Sequence, residues 1–540
     1  MFRLLKKTPT PPTSFRLSSI IINTPKRHIR MDSKTYGVSK NGITMKVDLN
    51  EKEAKICNVL QGVSSFIAQE RPELPIIESR IAGGWVRDKL LGKECHDLDI
   101  AINDMMGYEF ATYVNKYLES QGVPTRSIAK IDSNPEKSKH LETATTKLFD
   151  QEVDFCNLRT EIYEEGSRIP LQITFGTPTE DAYRRDITIN SLFYNVNSHQ
   201  VEDFTEQGIP DLIKGLIRTP LEPFETFRDD PLRVIRCIRF SSRFNFDMVP
   251  ELCQAAKHPE IKSALIHKIS RERIGIEFDK MITGPYPLLS LQLIHQLDLY
   301  SIIMAPPQII KSGTVGDALS AVQAVGILQW LQQNDGLRAT SDDEKRSLVL
   351  TASVLPYYGA VSEFKKRDIP AVQLVLRDSI KTNNTDIATV NTIFRGVDKL
   401  KHMADNNMNQ PVKRSELGML IRDLGALWQT AIKMTAVKEL LETYPDLNWS
   451  LDPTAIDRQT GNAICEKYNA LIQAAKDYQI TDCYTWKHMV DGKRAAQVVG
   501  VKTGPVVTEL LKVQMTWQLE HPNGTKEECE QAIKAYWDSK

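Results

Sequence analysis

No CxxC pair and no cluster of histidines with cysteines occurs in the 540 residues; the eight cysteines stand scattered at 57, 95, 156, 237, 253, 465, 483 and 529. That scatter argues against a structural zinc site or a disulfide framework and fits a reducing intracellular compartment. No stretch of about 18 apolar residues appears, which argues against a membrane span. Neither charge is in excess. The formal net charge is −1, so any surface suited to a polyanion must be local and balanced by acidic surface elsewhere. Hydrophobic residues at 41% and charged residues at 25% are ordinary for a globular chain. The length exceeds one small core, so two to four structural units are expected.

Acidic residues are missing altogether from 1–31, which carries Arg3, Lys6, Lys7, Arg16, Lys26, Arg27 and Arg30 among several Ser and Thr. This is the pattern of a mitochondrial presequence; a disordered basic tail is the plainer alternative. Met31 stands where the segment ends. Translation from that internal start would yield a form without the presequence, placed in the cytoplasm and the nucleus.

Hydrophobic spacing predicts an amphipathic helix over 47–69, with Ile56, Leu60, Val63 and Ile67 on one face. Strands are expected at 78–82, 97–101, 126–131, 143–149 and 152–157, and helices at 86–91 and 108–121. Short strands mixed with helices indicate an α+β unit to about residue 220. From Asp229 onward nearly every segment reads as helix, including 229–245, 269–283, 314–334, 343–355 and 504–518. Proline-containing breaks at 305–307, 411 and 452–453 punctuate this region.

Three stretches carry chemistry. In the first, Gly83-Gly84-Trp85-Val86-Arg87-Asp88 is followed by Asp97-Leu98-Asp99. Acids at i and i+2 of a strand face one side, where both can grip a divalent cation, and Asp is otherwise disfavoured inside strands. A Gly-Gly turn lets backbone approach a triphosphate closely. Asp154, in EVDFCN, is a candidate third carboxylate, with a surface acid the competing explanation. The second stretch is Tyr183-Arg184-Arg185-Asp186-Ile187-Thr188-Ile189-Asn190-Ser191. Its paired arginines suit charge-assisted bonds to phosphate, and Asp186 and Asn190 at i and i+4 would share one helix face. A capping role for Asp186 is the plainer alternative. The third is Asp229-Asp230-Pro231-Leu232-Arg233 running on to Arg236, Arg239 and Phe240. Asp230, Arg233, Arg236 and Arg239 recur every third residue as a slanted stripe on a helix. A solvated basic face would look similar, but an acid heading three arginines also makes a donor–acceptor panel able to read a base without a template.

GGWVRDKLLGKECHDLDI, RRDITINSLFYN and DDPLRVIRCIRF together resemble the ordered motifs of class II tRNA nucleotidyltransferases, the CCA-adding enzymes of the polymerase beta nucleotidyltransferase superfamily. Asp203, Gly208 and Arg218 resemble the family's spring between head and neck, and ISRERIGIEFDKMI its neck helix. The resemblance covers roughly 80–285. It implies a polymerase-beta-like head (45–220), a helical neck with a base-reading helix (221–285), and a helical body and tail that bind tRNA (286–540). By that resemblance Asp97 and Asp99 are the catalytic metal ligands, for Mg²⁺. Gly84, Arg87, Arg185, Asp186, Asn190, Asp230, Arg233, Arg236 and Arg239 are nucleotide-binding, with Asp230 and Arg233 choosing the base. The family's Glu-Asp-x-x-Arg pattern departs here, since Asp229 replaces the Glu.

The implied activity is template-independent addition of C, C and A to the tRNA 3′ end from CTP and ATP, releasing pyrophosphate by two-metal transfer. Implied partners are tRNA, through its 3′ end and acceptor and T arms, and the two nucleotides, with no membrane and no obligate protein partner. The polar segment 131–140 resembles the family's flexible loop, and 490–515, with Gly492, Gly500 and Gly504, its tail. A bacterial-type poly(A) polymerase shares the head motifs but carries a GRRF-like stretch between the first two, which this chain lacks. A non-enzymatic RNA-binding protein with a degenerate head is opposed by the intact Asp97, Asp99, Arg185 and Asp230.

Overall fold

The computed structural model describes residues 36–39, 42–95, 97–131, 143–163, 170–305, 307, 309–334, 336–445 and 456–540. The expected presequence, most of the expected loop at 131–140 and Pro453 lie outside the described residues. The fold is α+β, with a mixed sheet at the N-terminal side and helices dominating thereafter.

Seven strands form the sheet, in the order Gln200–Glu202, Phe193–Asn195, Ser79–Ala82, Leu98–Ile102, Gln151–Asn157, Thr143–Leu148 and Ala129–Ile131. Only the central pair, Leu98–Ile102 with Gln151–Asn157, runs parallel. Two helices cover one face. Glu51–Glu70 starts at an Asn50/Glu53 capping box and buries the expected Ile56, Leu60, Val63 and Ile67. Gly107–Ser120 sets Phe110 against Phe155, ring centres 5.5 Å apart. Alternation along the central strands therefore has a fixed meaning. Leu98, Ile100, Ile102, Val153 and Phe155 enter the helix-covered core. Asp99, Ala101 and Asp154 face the other side, where Ala82, Ala101, Leu158, Ala182 and Phe193 form a small second cluster.

Beyond the sheet, the helix expected over 229–245 is Leu232–Phe244, starting three residues late, and a separate short helix, Pro223–Asp229, precedes it. Asp230 is extended (φ −132°, ψ 98°) because the residue before a proline is pushed out of the helical region. Helix Arg271–Ile282 packs beside Leu232–Phe244. Helices Leu319–Leu331, Asp342–Ser353 and Val506–Glu520 lie within the ranges expected from spacing, give or take two residues.

The all-helical expectation for the body fails at one place. Ile310–Ser312, Val361–Phe364 and Arg367–Pro370 form a three-stranded antiparallel sheet. Its hairpin turns through Lys365 and Lys366 at φ 51° and 62°. Such turns usually announce themselves with Asn or Gly, and two lysines give no such signal. The last three helices, Gly492–Val498, Val506–Glu520 and Lys526–Asp538, share their own cluster around Leu510, Cys529 and Ile533.

The helix Arg271–Ile282 meets the backbone at Ile380 without a gap. A Cβ on Gly275 would fall 1.9 Å from the carbonyl oxygen of Ile380. Gly275→Ala is therefore expected to lower unfolding stability by about 2–3 kcal/mol, measured by urea denaturation.

Candidate active site

Gly83 ends the strand Ser79–Ala82 and caps the short helix Gly84–Leu90. Its φ is +69°, and a Cβ there would lie 2.8 Å from Arg185 Nη1. The glycine is thus required twice, by the turn and by the arginine lying over it. Gly83 N–H also donates to the Leu192 carbonyl at 2.9 Å, joining the first motif to the second.

The strand bearing the acids begins at Leu98, so Asp97 stands one residue ahead of it rather than inside it. Asp97 and Asp99 nevertheless open into the same cleft. Asp99 is the direct cross-strand partner of Asp154 on the parallel neighbour. Burial raises the Asp99 carboxyl above its ordinary range; Asp154 and Asp97 add to the rise and Arg185 opposes it. Asp154 accepts from Thr145 Oγ1 at 2.5 Å and does not line the cleft. Carboxylates that repel one another while facing open space suit a divalent cation. Among the described residues no group of three His, Cys, Asp or Glu is arranged to hold a metal alone. A cation on Asp97 and Asp99 would complete its shell with substrate or water oxygens, the usual habit of magnesium.

In the second motif, Asp186 and Asn190 meet as expected but not on an α-helix. The segment Thr188–Asn190 is a single 3₁₀ turn, and Asn190 Nδ2 donates to Asp186 Oδ1 at 3.0 Å. Asp186 Oδ1 also accepts from the Ile187 N–H at 2.9 Å, close to the capping alternative. Upstream, buried Asp181 grips both arginines: Arg184 Nε reaches Oδ1 at 2.8 Å, and Arg185 reaches Oδ2 through Nε at 3.0 Å and Nη2 at 2.8 Å. Burial alone would raise the Asp181 carboxyl, but Arg185 and Arg184 outweigh it and hold it below the ordinary range. Arg185 lies over the Phe193 ring and donates from Nη1 to the Asn190 carbonyl at 3.2 Å. Arg87 is buried against Asn190 Oδ1, Asp88 and the Phe244 ring.

The arginine stripe lies along the helix Leu232–Phe244, and each member has its own partner. Arg233 Nη2 donates to the Arg184 carbonyl at 2.7 Å. Arg236 clasps Asp186 Oδ2 through Nε at 2.8 Å and Nη2 at 2.6 Å. Arg239 pairs with Glu277, and Arg243 with Asp88 at 3.1 Å. Asp230 caps the helix through the Leu232 N–H at 3.2 Å and takes an ion pair from Arg273 at 3.0 Å. Arg233 lines the cleft and Asp230 is not among its lining residues.

The result is a cleft of about 690 Å³, within the usual range for a small-molecule site. Cationic side chains outnumber acidic ones along its walls, in a chain whose net charge is −1. Nearly every residue singled out from the sequence lines it; Asp154 and Asp230 do not.

Comparison with known proteins identifies the family. A family model described as "Poly A polymerase head domain" matches residues 79–218, and one described as "Probable RNA and SrmB- binding site of polymerase A" matches 245–311. The chain is 38% identical to a CCA tRNA nucleotidyltransferase, mitochondrial, of Saccharomyces cerevisiae, over 91% of this chain and 94% of that one. The chain belongs to the CCA tRNA nucleotidyltransferase family. A second member, tRNA nucleotidyltransferase cca1 of Schizosaccharomyces pombe, is 34% identical over 89% of this chain and 95% of its own. Among solved structures, a CCA-adding enzyme in apo form aligns over 90% of this chain and 96% of its own with TM-score 0.60 and 20% identity. A Thermotoga maritima CCA-adding enzyme complexed with tRNA aligns over 90% of this chain and 96% of its own at TM-score 0.56 and 20% identity. At that identity the two likenesses establish the CCA-adding fold.

For this family member, sequence reasoning overlooked Asp181, Glu277, Arg243 and Lys280. Asp181 was findable, since an acid three and four residues before two arginines on a helix is an ion-pair signal. Glu277 and Lys280 come from a distant helix, and only the tertiary fold brings Glu277 to Arg239 and Arg236 and Lys280 to the cleft wall.

Asp186 supplies a pH signature. Burial would raise its carboxyl, but Arg236, the Asn190 amide and Arg233 together lower it to about 2. A depressed carboxylate stabilises the fold above its unfolded value near 4, and that contribution disappears as pH falls through about 2. Asp186→Asn should therefore cost about 2 kcal/mol at pH 7. The gap from wild type should narrow between about pH 4 and pH 2, followed by denaturant unfolding across pH.

Proposed function

We propose that this protein adds C, C and A, without a template, to the 3′ end of tRNA from CTP and ATP, releasing pyrophosphate. The observation that carries the proposal is convergence: the paired acids, the Arg185 anchor and the arginine helix open into one cleft in a chain of this family. On this reading residues 45–220 are the head, 221–285 the neck and 286–540 the body and tail.

Asp97 and Asp99 hold Mg²⁺, and Asp154 supports Asp99 from the neighbouring strand. The chemistry the bound metal supplies is Lewis-acid activation of the RNA 3′-hydroxyl and neutralisation of the phosphates. The chain's own residues do the rest. Arg185, fixed by Asp181, meets the triphosphate with a preoriented guanidinium. The Gly83–Gly84 turn brings backbone amides near it. Asp230 offers a carboxylate oxygen to a base amino group and Arg233 donates to base oxygen or ring nitrogen. Arg87, Arg236, Arg239, Asp186 and Asn190 keep those groups in place, so the nucleotide meets a panel already oriented and little ordering is left for the reaction itself. The hydroxyl attacks the α-phosphate and pyrophosphate departs.

The presequence pattern in 1–31 supports delivery to mitochondria, and a start at Met31 would supply the cytoplasm and nucleus. A reporter carrying residues 1–31 should enter mitochondria; retention in the cytosol would refute that delivery.

Incorporation of labelled CTP and ATP into tRNA lacking its last three nucleotides is the deciding assay. Wild type should add three nucleotides in the order C, C, A. A tail of A alone and of unbounded length would replace the proposal with poly(A) synthesis. Asp99→Ala should lower kcat at least about 10³-fold with an unchanged unfolding curve. Asp230→Ala should erode the preference between CTP and ATP while leaving pyrophosphate release measurable. Unchanged selectivity would remove Asp230 from base choice.

A further inference from the structure

The neck helix Arg271–Ile282 turns one charged face toward the cleft. Arg273, Glu277 and Lys280 stand at i, i+4 and i+7, a single stripe on an α-helix. The first two are occupied, Arg273 with Asp230 and Glu277 with Arg239 and Arg236. Lys280 continues the stripe to the cleft wall. It is exposed, and its ammonium has no hydrogen bond, ion pair or ring contact with any described residue.

That sets Lys280 apart. Around it Arg87, Arg185, Arg233, Arg236, Arg239 and Arg243 are each tied to a protein oxygen. Their guanidinium planes are committed to one geometry, which suits a nucleotide that must sit in the same place at every addition. The growing RNA end poses the opposite problem. Each addition lengthens the strand by one residue, so the phosphodiester nearest the cleft belongs to a different nucleotide each time. A contact that serves all three additions must be adaptable and insensitive to sequence. A compact ammonium on a four-carbon stem with freely rotating donors has those properties, and a fixed bidentate fork does not.

We propose that Lys280 is a binding residue for the RNA strand: its ammonium contacts a phosphodiester next to the 3′ terminus, while the arginines of the cleft serve the incoming nucleotide. This rests on the CCA-addition reading and identifies a contact to the strand being extended.

The test uses the full-length enzyme and its Lys280→Gln, Lys280→Glu and Lys280→Arg variants, with tRNA ending before, within and just short of the CCA sequence. KM is measured for RNA, CTP and ATP between about 50 and 200 mM salt. For Lys280→Gln the RNA KM should rise about tenfold at every stage of addition, and more for Lys280→Glu. The slope of log KM for RNA against log salt should fall by about 0.7, the share of one single-strand phosphate. The CTP and ATP KM should stay within about twofold, and Lys280→Arg, which keeps the charge but not the compact ammonium, should keep the wild-type salt slope with a smaller rise in RNA KM than Lys280→Gln. An unchanged RNA KM and salt slope, or a rise confined to the nucleotides or shared equally with them, overturns the inference. Failure of the underlying reading is separate and visible in the same assay, since wild type would then add no C to RNA.

Discussion

The buried carboxylate–guanidinium chain from Asp186 through Arg236 to Glu277 and Arg239 is the constraint on which the cleft depends. Three segments distant in sequence contribute to it: Asp186 of the second motif, the arginine helix and the helix Arg271–Ile282. Burying one charge without a partner costs several kcal/mol. A cleft rich in arginine can therefore exist in a folded protein only if nearly every arginine is answered. Here the answers come from Asp181, Asp186, Asp88 and Glu277, and from the carbonyls of Arg184 and Asn190. The net effect is a surface that carries excess positive charge yet is held rigid by its own counter-charges.

That rigidity has a functional corollary. A protein that chooses a base without a nucleic-acid template needs donors and acceptors whose directions are fixed before the base arrives. An isolated arginine on solvent would surrender much of its selectivity to its own rotamer freedom. Arg233 is restrained by the Arg184 carbonyl, Asp230 by Arg273 and by the Leu232 N–H. The glycine turn belongs to the same economy of space. Gly83 leaves room for Arg185 to lie across the backbone, so the anchor proposed for the triphosphate and the turn beneath it are parts of one fit.

Legibility in the sequence followed the range of the interaction. The helix Glu51–Glu70 was readable from its spacing and cap, and the central strands from alternation. Asp99 and Ala101 fall on the open face because Leu98, Ile100 and Ile102 claim the core. The cleft residues were readable because their motifs are local and ordered. What failed was either finer than spacing or longer than a motif. Asp186 and Asn190 meet through a 3₁₀ turn, a geometry that i, i+4 spacing does not distinguish from an α-helix. The short helix Pro223–Asp229 spans too few residues to show a helical period. The hairpin at Lys365-Lys366 lacks turn residues altogether. Glu277 and Lys280 sit 33 and 36 residues beyond Phe244, the end of the arginine helix they face, and no local pattern reports such a meeting.

The division of labour between fixed and adaptable cations follows from what each ligand does during successive additions. The nucleotide site is refilled by molecules of one shape, a triphosphate on a ribose with a base to be tested, so its partners gain by being locked. The RNA strand advances by a residue each time, so a partner locked to one phosphate would become a mismatch after the first step. A protein facing both demands in one cleft is expected to bind one set of its cations tightly to itself and leave another unbound. The pairing pattern here, with arginines tethered and Lys280 at large, has that form.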